Sequence, residues 1–289
     1  MARRVTPGIA IRPVQRIQRG DGDLLPDPPG SQRDTVAVEE PLEIRVDGDT
    51  VAVTLRTPGA DGYLALGFLF GEGVLRSPDD VSAVAPCWRP GQDGPSNIID
   101  VRSGPGVSLD RGRVQGARRF IDDGAGDLLT RVPPVPPGLA LDPERIATCV
   151  ERLRPPFPMI LDRTSGLHAA AAFGEGGALL AAHQDVGRHN AVDKVLGELL
   201  RRRWIGAAPS SAPPGERPAV LVVSGRATVD IIHRAAQAAI PIVAGASAAS
   251  ALAVDLAVAA RITLVALVRR RSLNVYSCPE RLTQPLPRT

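Results

Sequence analysis

Apolar and polar residues begin to alternate near Thr35. TVAVEEPLEIRV (35–46) and TVAVTLRT (50–57) flank Asp47-Gly48-Asp49, a pattern that predicts a β-hairpin. A helix is expected next: Asp61 is a suitable N-cap, Leu64, Leu66, Phe68 and Leu69 supply an apolar run, and Gly71 and Gly73 stop it. NIIDVRS (97–103) predicts another strand. Gly104 to Gly138 is rich in Gly, Arg and Pro, ends in VPPVPPG, and reads as loop and linker.

The second half is more regular. A helix is predicted over Pro143–Leu153, then short strands HAAAAF (168–173) and ALLAAH (178–183) around the turn GEGG. A helix over Asn190–Arg203 places Val192, Val195, Leu196 and Leu199 on one face, with Arg201, Arg202 and Arg203 at its carboxyl end. The run AVLVVS (219–224) then predicts a strand, followed by a helix over Thr228–Ala239, strand IPIVA, helix SALAVDLAVAA and strand ITLVALV. That alternation predicts an α/β fold with a mostly parallel sheet covered by helices, preceded by a smaller α+β unit. The expected organisation is a flexible arm over 1–34, an N-terminal α+β domain over 35–138 and a C-terminal domain over 139–289.

With 289 residues and 44% hydrophobic positions, the chain can bury a sizeable core. Lys194 is the only lysine among 34 basic residues. The Arg bias reads either as genomic composition or as selection for anionic ligands. No basic–aromatic interleaving or nucleic-acid motif accompanies it, so nucleic acid is not an expected partner. The N-terminus has no apolar signal segment, and Pro241, Asp255 and Arg261 interrupt the apolar stretch from Ala235 to Val268. These features predict neither secretion nor membrane insertion, and a cytoplasmic location. Cys87, Cys149 and Cys278 are widely spaced, so neither a disulfide framework nor a metal site is readable.

Ligands of such sheets bind beyond the carboxyl ends of the strands. Three turns fit that position. Gln184-Asp185-Val186-Gly187-Arg188-His189-Asn190 opens a helix, so its amides and Arg188 can hold an anion, Gly187 permits close approach and His189 can move a proton. Its alternative is a capped helix start. Ser224-Gly225-Arg226-Ala227-Thr228 repeats the pattern, or is an ordinary turn with a Thr cap. Arg269-Arg270-Arg271-Ser272 follows the last core strand, as an anion site or a solvated charge run. A pocket of amides and guanidinium favours a pyrophosphate-containing ligand. His168 beside Ser165 permits a weak Ser/His nucleophile reading, but no nucleophile elbow is present. His168, His183 and His189 lack the companions of a zinc site.

Several strings taken together are specific: EEPLEIRV (39–46), TPGADGYLALGFLFGEGV (57–74), TSGLHAAAAF (164–173), QDVGRHNAVDKVLG (184–197), SGRATVDIIHRAA (224–236) and NVYSCPERL (274–282). With them the chain resembles the formate dehydrogenase accessory family, FdhD/NarQ. The resemblance implies a cytidine-deaminase-like C-terminal domain without zinc, a homodimer, and a cytoplasmic role in maturing formate dehydrogenase. It implies sulfur received from a cysteine desulfurase, carried as a persulfide and passed to the molybdenum bis-molybdopterin guanine dinucleotide cofactor. The family's cofactor-contact stretch falls on Leu267, Val268, Arg269, Arg270, Arg271 and Ser272. One departure matters. The family's sulfur-carrying motif resembles CGxCG after R-x-F, whereas here Arg118-Arg119-Phe120 is followed by Ile121 to Asp127 without a cysteine. A persulfide needs a thiolate, and the loop Asp122–Asp127 cannot supply one. Gln184, Ser165-Gly166 and Ala248-Ala249 are smaller departures. Of the remaining thiols, Cys149 is expected to be buried in a helix, Cys87 precedes the carrier position by about forty residues by sequence numbering, and Cys278 is a weak substitute near the cofactor stretch. Three readings follow: a cofactor-binding accessory protein that carries no sulfur on the usual loop, a sulfurtransferase using a displaced cysteine, and a nucleotide-binding enzyme with His189 or His168 as general base.

Overall fold

The computed structural model describes residues 8–14, 17–19, 24–26, 32–87, 97–114, 129–153, 166–207, 210–269 and 272–283. The chain opens with a hairpin. β1 (Ile9–Val14) pairs antiparallel with β4 (Gln32–Ala37), from Ile9 opposite Ala37 to Val14 opposite Gln32, and β2 (Ile17–Arg19) pairs with β3 (Leu24–Pro26) between them. Of the arm expected over 1–34, residues 9–14, 17–19, 24–26 and 32–34 thus lie in strands, and most of the rest lies outside the described residues. The hairpin's base is tied to the body: Val38 N–H donates to the Gly8 carbonyl at 2.9 Å, and Gly8 lies against the Thr57 methyl.

A four-stranded sheet follows, in the order β6-β5-β8-β7, from β5 (Glu40–Val46), β6 (Asp49–Arg56), β7 (Val81–Pro86) and β8 (Ile98–Ser103). The predicted hairpin is present. Asp47 and Gly48 both have positive φ (51° and 89°), as a type I′ turn demands. Helix α1 (Asp61–Gly71) packs on this sheet. Asp61 does not cap it, contrary to expectation: Ala60 occupies the N-cap, and Asp61 takes a two-pronged ion pair from Arg56 at 2.8 and 2.9 Å. Arg56 is a buried guanidinium, so pairing it outweighs capping.

The larger sheet has six strands in the order β10-β9-β11-β12-β13-β14: β9 (His168–Gly174), β10 (Leu179–Asp185), β11 (Pro218–Val223), β12 (Ile242–Gly245), β13 (Thr263–Arg269) and β14 (Ser272–Val275). Its helices are α2 (Pro143–Glu151), α3 (Arg188–Arg201), α4 (Val229–Gln237) and α5 (Ala251–Ala259). The α/β class holds, with a smaller parallel share than the pattern predicts. Only β11-β12-β13 run parallel; β9 and β10 form a hairpin across a short turn, and β14 folds back on β13. Helices α3, α4 and α5 cover one face, and α2 covers the other with Ile146 and Cys149 against Phe173, Val220, Val222 and Val265.

Leu42 and Ile44 of the first sheet, Leu64 and Leu69 of α1, and Leu196, Leu221 and Ile231 belong to one buried cluster. The two halves therefore share a core. Their contact is unusually close at α1 and α3. A Cβ at Gly67 would lie 1.8 Å from the Asp193 carbonyl oxygen, and one at Gly197 would lie 1.9 Å from that of Tyr63. The helices meet backbone to backbone, which only glycine allows. Among the described residues no helix is long and apolar enough to cross a membrane.

Candidate functional site

Topology decides which turns meet. β11, β12 and β13 point the same way; β9 runs against β11, and β10 against β9. The carboxyl ends of β10 to β13 and the start of β9 therefore share one rim. Ser224 N–H donates to the Ala169 carbonyl, and its hydroxyl accepts from the Ala169 N–H, both at 2.9 Å. A Cβ at Gly225 would sit 3.2 Å from His168 Nδ1 and 3.6 Å from Arg188 Cβ. The turns carrying Gly187 and Gly225 thus close on His168. The third turn adjoins through residues 246–248: Ala227 N–H donates to Ala248 O at 3.0 Å, Leu267 N–H to Ser247 O at 3.1 Å, and the Arg269 guanidinium bonds Ala246 O.

Helix α3 begins two residues earlier than expected, with Gly187 as its N-cap and no side-chain cap. Helix α4 also starts without one. The Thr228 hydroxyl lies 3.2 Å from His189 Nε2 instead of folding back on the helix. Two helix starts therefore present first-turn amides at one place, where the dipoles favour an anion. Among the described residues no hydrogen bond or ion pair engages the Arg188 guanidinium, and Arg226 is exposed. His189 is pushed down to about 4, first by burial and then by the Arg234 guanidinium. His168 is also lowered, by burial and then by Arg188. At neutral pH both rings are uncharged hydrogen-bonding groups.

Other predicted residues have different work. Asn190 was expected to face the ligand; its amide donates to Leu55 O at 2.8 Å and to Asp185 Oδ1 at 3.1 Å. Gly187 is required partly by that packing, since a Cβ there would lie 2.7 Å from Asn190 Nδ2. Leu267 is held at φ 54° in a bulge of β13, and Val268 is buried. Arg269 spends its guanidinium on the Ala246 and Val268 carbonyls, while Ser272 is exposed. Arg270, Arg271, Ser165 and the Asp122–Asp127 loop lie outside the described residues. His183 pairs with Glu198 at 2.7 Å, away from the rim.

Sequence reasoning missed the supports. Asp185, fully buried, pairs with Lys194 Nζ at 2.7 Å; it also accepts from Gly187 N–H at 2.8 Å and from Thr57 N–H at 3.2 Å. Lys194 Nζ donates to Thr57 O at 2.8 Å as well. The first sheet is thus bolted to the rim turn. The available signal was only that Lys194 is the one lysine of the chain; by helical spacing it lies opposite the face of Val192, Val195, Leu196 and Leu199 and reads as solvent-facing.

The cysteines do not gather at the rim. Cys278 was expected near the cofactor stretch, but its carbonyl accepts from the Thr263 hydroxyl at the amino end of β13. That is roughly 20 Å along the strand from Arg269 at the usual rise per residue. Burial, then Glu280, raises its thiol. Cys149 is buried and raised by burial. Among the described residues no group of three His, Cys, Asp or Glu could hold a metal ion. Two cavities of about 650 Å³ lie away from the rim. One is lined by Glu72, Arg76, Arg113, Arg131 and His233.

Fold and rim together define an α/β protein, built mainly on a four-stranded and a six-stranded sheet, in which the rim joins two helix starts, an unengaged guanidinium and two uncharged imidazoles. The chain belongs to the FdhD/NarQ family, which matches residues 37–283. Proteins named sulfur carrier protein FdhD are similar over most of the chain. The one from Anaeromyxobacter dehalogenans strain 2CP-1 is 48% identical over 263 residues, covering 88% of this chain and 90% of that protein. The one from Streptomyces avermitilis is 40% identical over 296 residues, covering 94% of each. That from Mycobacterium tuberculosis is 42% identical over 267 residues, covering 86% and 92%. The crystal structure of a candidate formate dehydrogenase accessory protein from Desulfotalea psychrophila superposes with a TM-score of 0.68 over 96% of this chain and all of that one, at 24% identity, and shows the same fold.

Proposed function

We propose that this chain binds the guanine-nucleotide end of a molybdenum bis-molybdopterin guanine dinucleotide cofactor at the rim, and holds it for the maturation of formate dehydrogenase. The observation that carries this reading is the convergence of Arg188, Gly225 and His168 at the starts of α3 and α4. Amides and one guanidinium fit a diphosphate, with Arg226 at the margin and Leu267 to Arg269 extending the same rim. Family membership supplies the context, since its named relatives are sulfur carriers.

The sulfur step separates this chain from that context. Residues 121–127 carry no thiol, Cys278 lies at the far end of β13 and Cys149 is buried. Formate dehydrogenase is the partner this reading requires. A cysteine desulfurase is a partner only if sulfur is accepted somewhere. A general-base role for His189 is poorly matched to neutral pH, because a base with a midpoint near 4 has little drive to take a proton.

The test is complementation in cells lacking the accessory protein, together with transfer of labelled sulfur from a desulfurase. The reading predicts co-purified guanine nucleotide or molybdopterin and no labelled sulfur on the chain. Complementation should appear only when a cysteine-bearing relative is supplied. Labelled sulfur on this chain would overturn the holder role, and turnover of a free nucleotide would favour an enzyme.

A further inference from the structure

Arg234 on α4 is almost fully buried, yet it is surrounded by carboxylates. Its Nε donates to Asp193 Oδ1 at 2.6 Å and its Nη2 to Asp193 Oδ2 at 3.2 Å. Its Nη1 lies 3.7 Å from Asp230 Oδ1. The other oxygen of Asp230 is 3.9 Å from His189 Nε2, the ring nitrogen that meets the Thr228 hydroxyl. The end of α1 packs on the same guanidinium, since a Cβ at Gly71 would sit 3.1 Å from Arg234 Cγ, and Glu72 adds a further negative charge. A line of charges therefore runs from the junction of α1, α3 and α4 to the rim.

Asp230 has two possible partners, a permanent cation and a titratable ring. We propose that Arg234 is a positioning residue for the rim: it holds Asp230 off His189 and leaves His189 an uncharged hydrogen-bonding ring beside Arg188. Every charged group facing His189 fits this division. Arg188 on its own helix, His168 on β9 and Arg234 on α4 disfavour its proton, and Asp230 alone favours it. Burial adds to the first set. Without Arg234, Asp230 would pair with a protonated His189, and a carboxylate would sit fixed where the diphosphate is expected. The device keeps the mobile positive charge of the site on Arg188, so anion affinity does not vary with His189 across neutral pH. The inference rests on the anion-binding reading of the rim.

The test uses the full chain with Arg234→Gln and Asp193→Asn together, so that no buried carboxylate is left unpaired. The first readout is the imidazole titration of His189 by NMR, made without ligand. Its midpoint is expected to rise by about one unit or more as Asp230 is released. The second is the GDP dissociation constant from pH 8 to pH 4.5, taken as the ratio of variant to wild type at each pH, which cancels ionisation of the nucleotide itself. That ratio is expected to rise by about threefold toward pH 4.5, the factor set by a midpoint moved from about 4 to about 5 when protonated His189 engages Asp230 in place of the anion. A folded double variant with an unmoved His189 midpoint overturns the inference. Should that variant not fold, Asp230→Asn decides. It is expected to move His189 by less than about half a unit, whereas a fall of a full unit shows Asp230 already engaged with His189 and overturns the proposal. Wild-type protein that fails to bind GDP, while His189 titrates as expected, refutes the rim reading and not the role of Arg234.

Discussion

Replacing Lys194 by Met tests how the rim turn is held. Met keeps most of the side-chain volume and removes the charge. Asp185 is then left fully buried without its counter-ion, and the Thr57 carbonyl loses its donor at 2.8 Å. Breaking a buried pair costs about 3–5 kcal/mol. Asp185 keeps the amide donors of Gly187 and Thr57 and the side-chain amide of Asn190, so the low end applies, about 3 kcal/mol, a change of about a hundredfold in the folded-to-unfolded ratio. Urea unfolding should show an earlier midpoint with an unchanged slope. Asp185→Asn combined with Lys194→Met should regain more than half the loss, because both charges go together. A single-variant loss below about 1 kcal/mol would refute the claim that this pair fastens the first sheet to the turn at Gly187.

Three further outcomes are expected. Gly67→Ala should lower stability by about 3 kcal/mol in thermal unfolding, because α1 and α3 must separate, whereas Gly62→Ala, whose Cβ would meet only Val84 at 3.4 Å, should be near neutral. Stability should fall on acidification: the folded state holds His189 near 4 against an ordinary 6.5, so the unfolded chain takes the proton first, and the contribution present above 6.5 is lost between 6.5 and about 4. His168 and His183 are lowered too and add in the same direction, and a melting temperature flat from pH 7 to pH 4.5 would contradict this. At pH 7 iodoacetamide should modify Cys149 and Cys278 more slowly than a free thiol, since burial raises both; rapid labelling of Cys278 would restore it as a carrier candidate.

Most of the large sheet was legible, because its strands are continuous apolar runs and its helices carry clear inward faces. What the pattern could not supply was strand direction. Alternating strands and helices imply parallel pairing, but β9 and β10 are joined by too short a turn, and β14 returns across a bulge at Leu267. β7 carried little signal: Val81 and Val84 are only half-buried, and Pro86 ends the run. The N-terminal hairpin was hidden because β1 and β4, which pair from Ile9–Ala37 to Val14–Gln32, carry largely exposed polar and Pro positions without a buried apolar face. At the site, the two turns flanking Gly187 and Gly225 were readable as helix starts with arginine. The tasks of Asn190, Asp185, Lys194 and Arg234 were not, because each depends on a partner between 5 and 137 positions away in the chain.

Calorimetric titration of GDP into the wild-type chain and Arg188→Ala, with Arg201→Ala at the opposite end of the same helix as control, tests the rim most directly. The account predicts binding that weakens by about 1.5–3 kcal/mol in Arg188→Ala and is unchanged in Arg201→Ala. Equal affinity in all three proteins would place the nucleotide elsewhere and contradict the account.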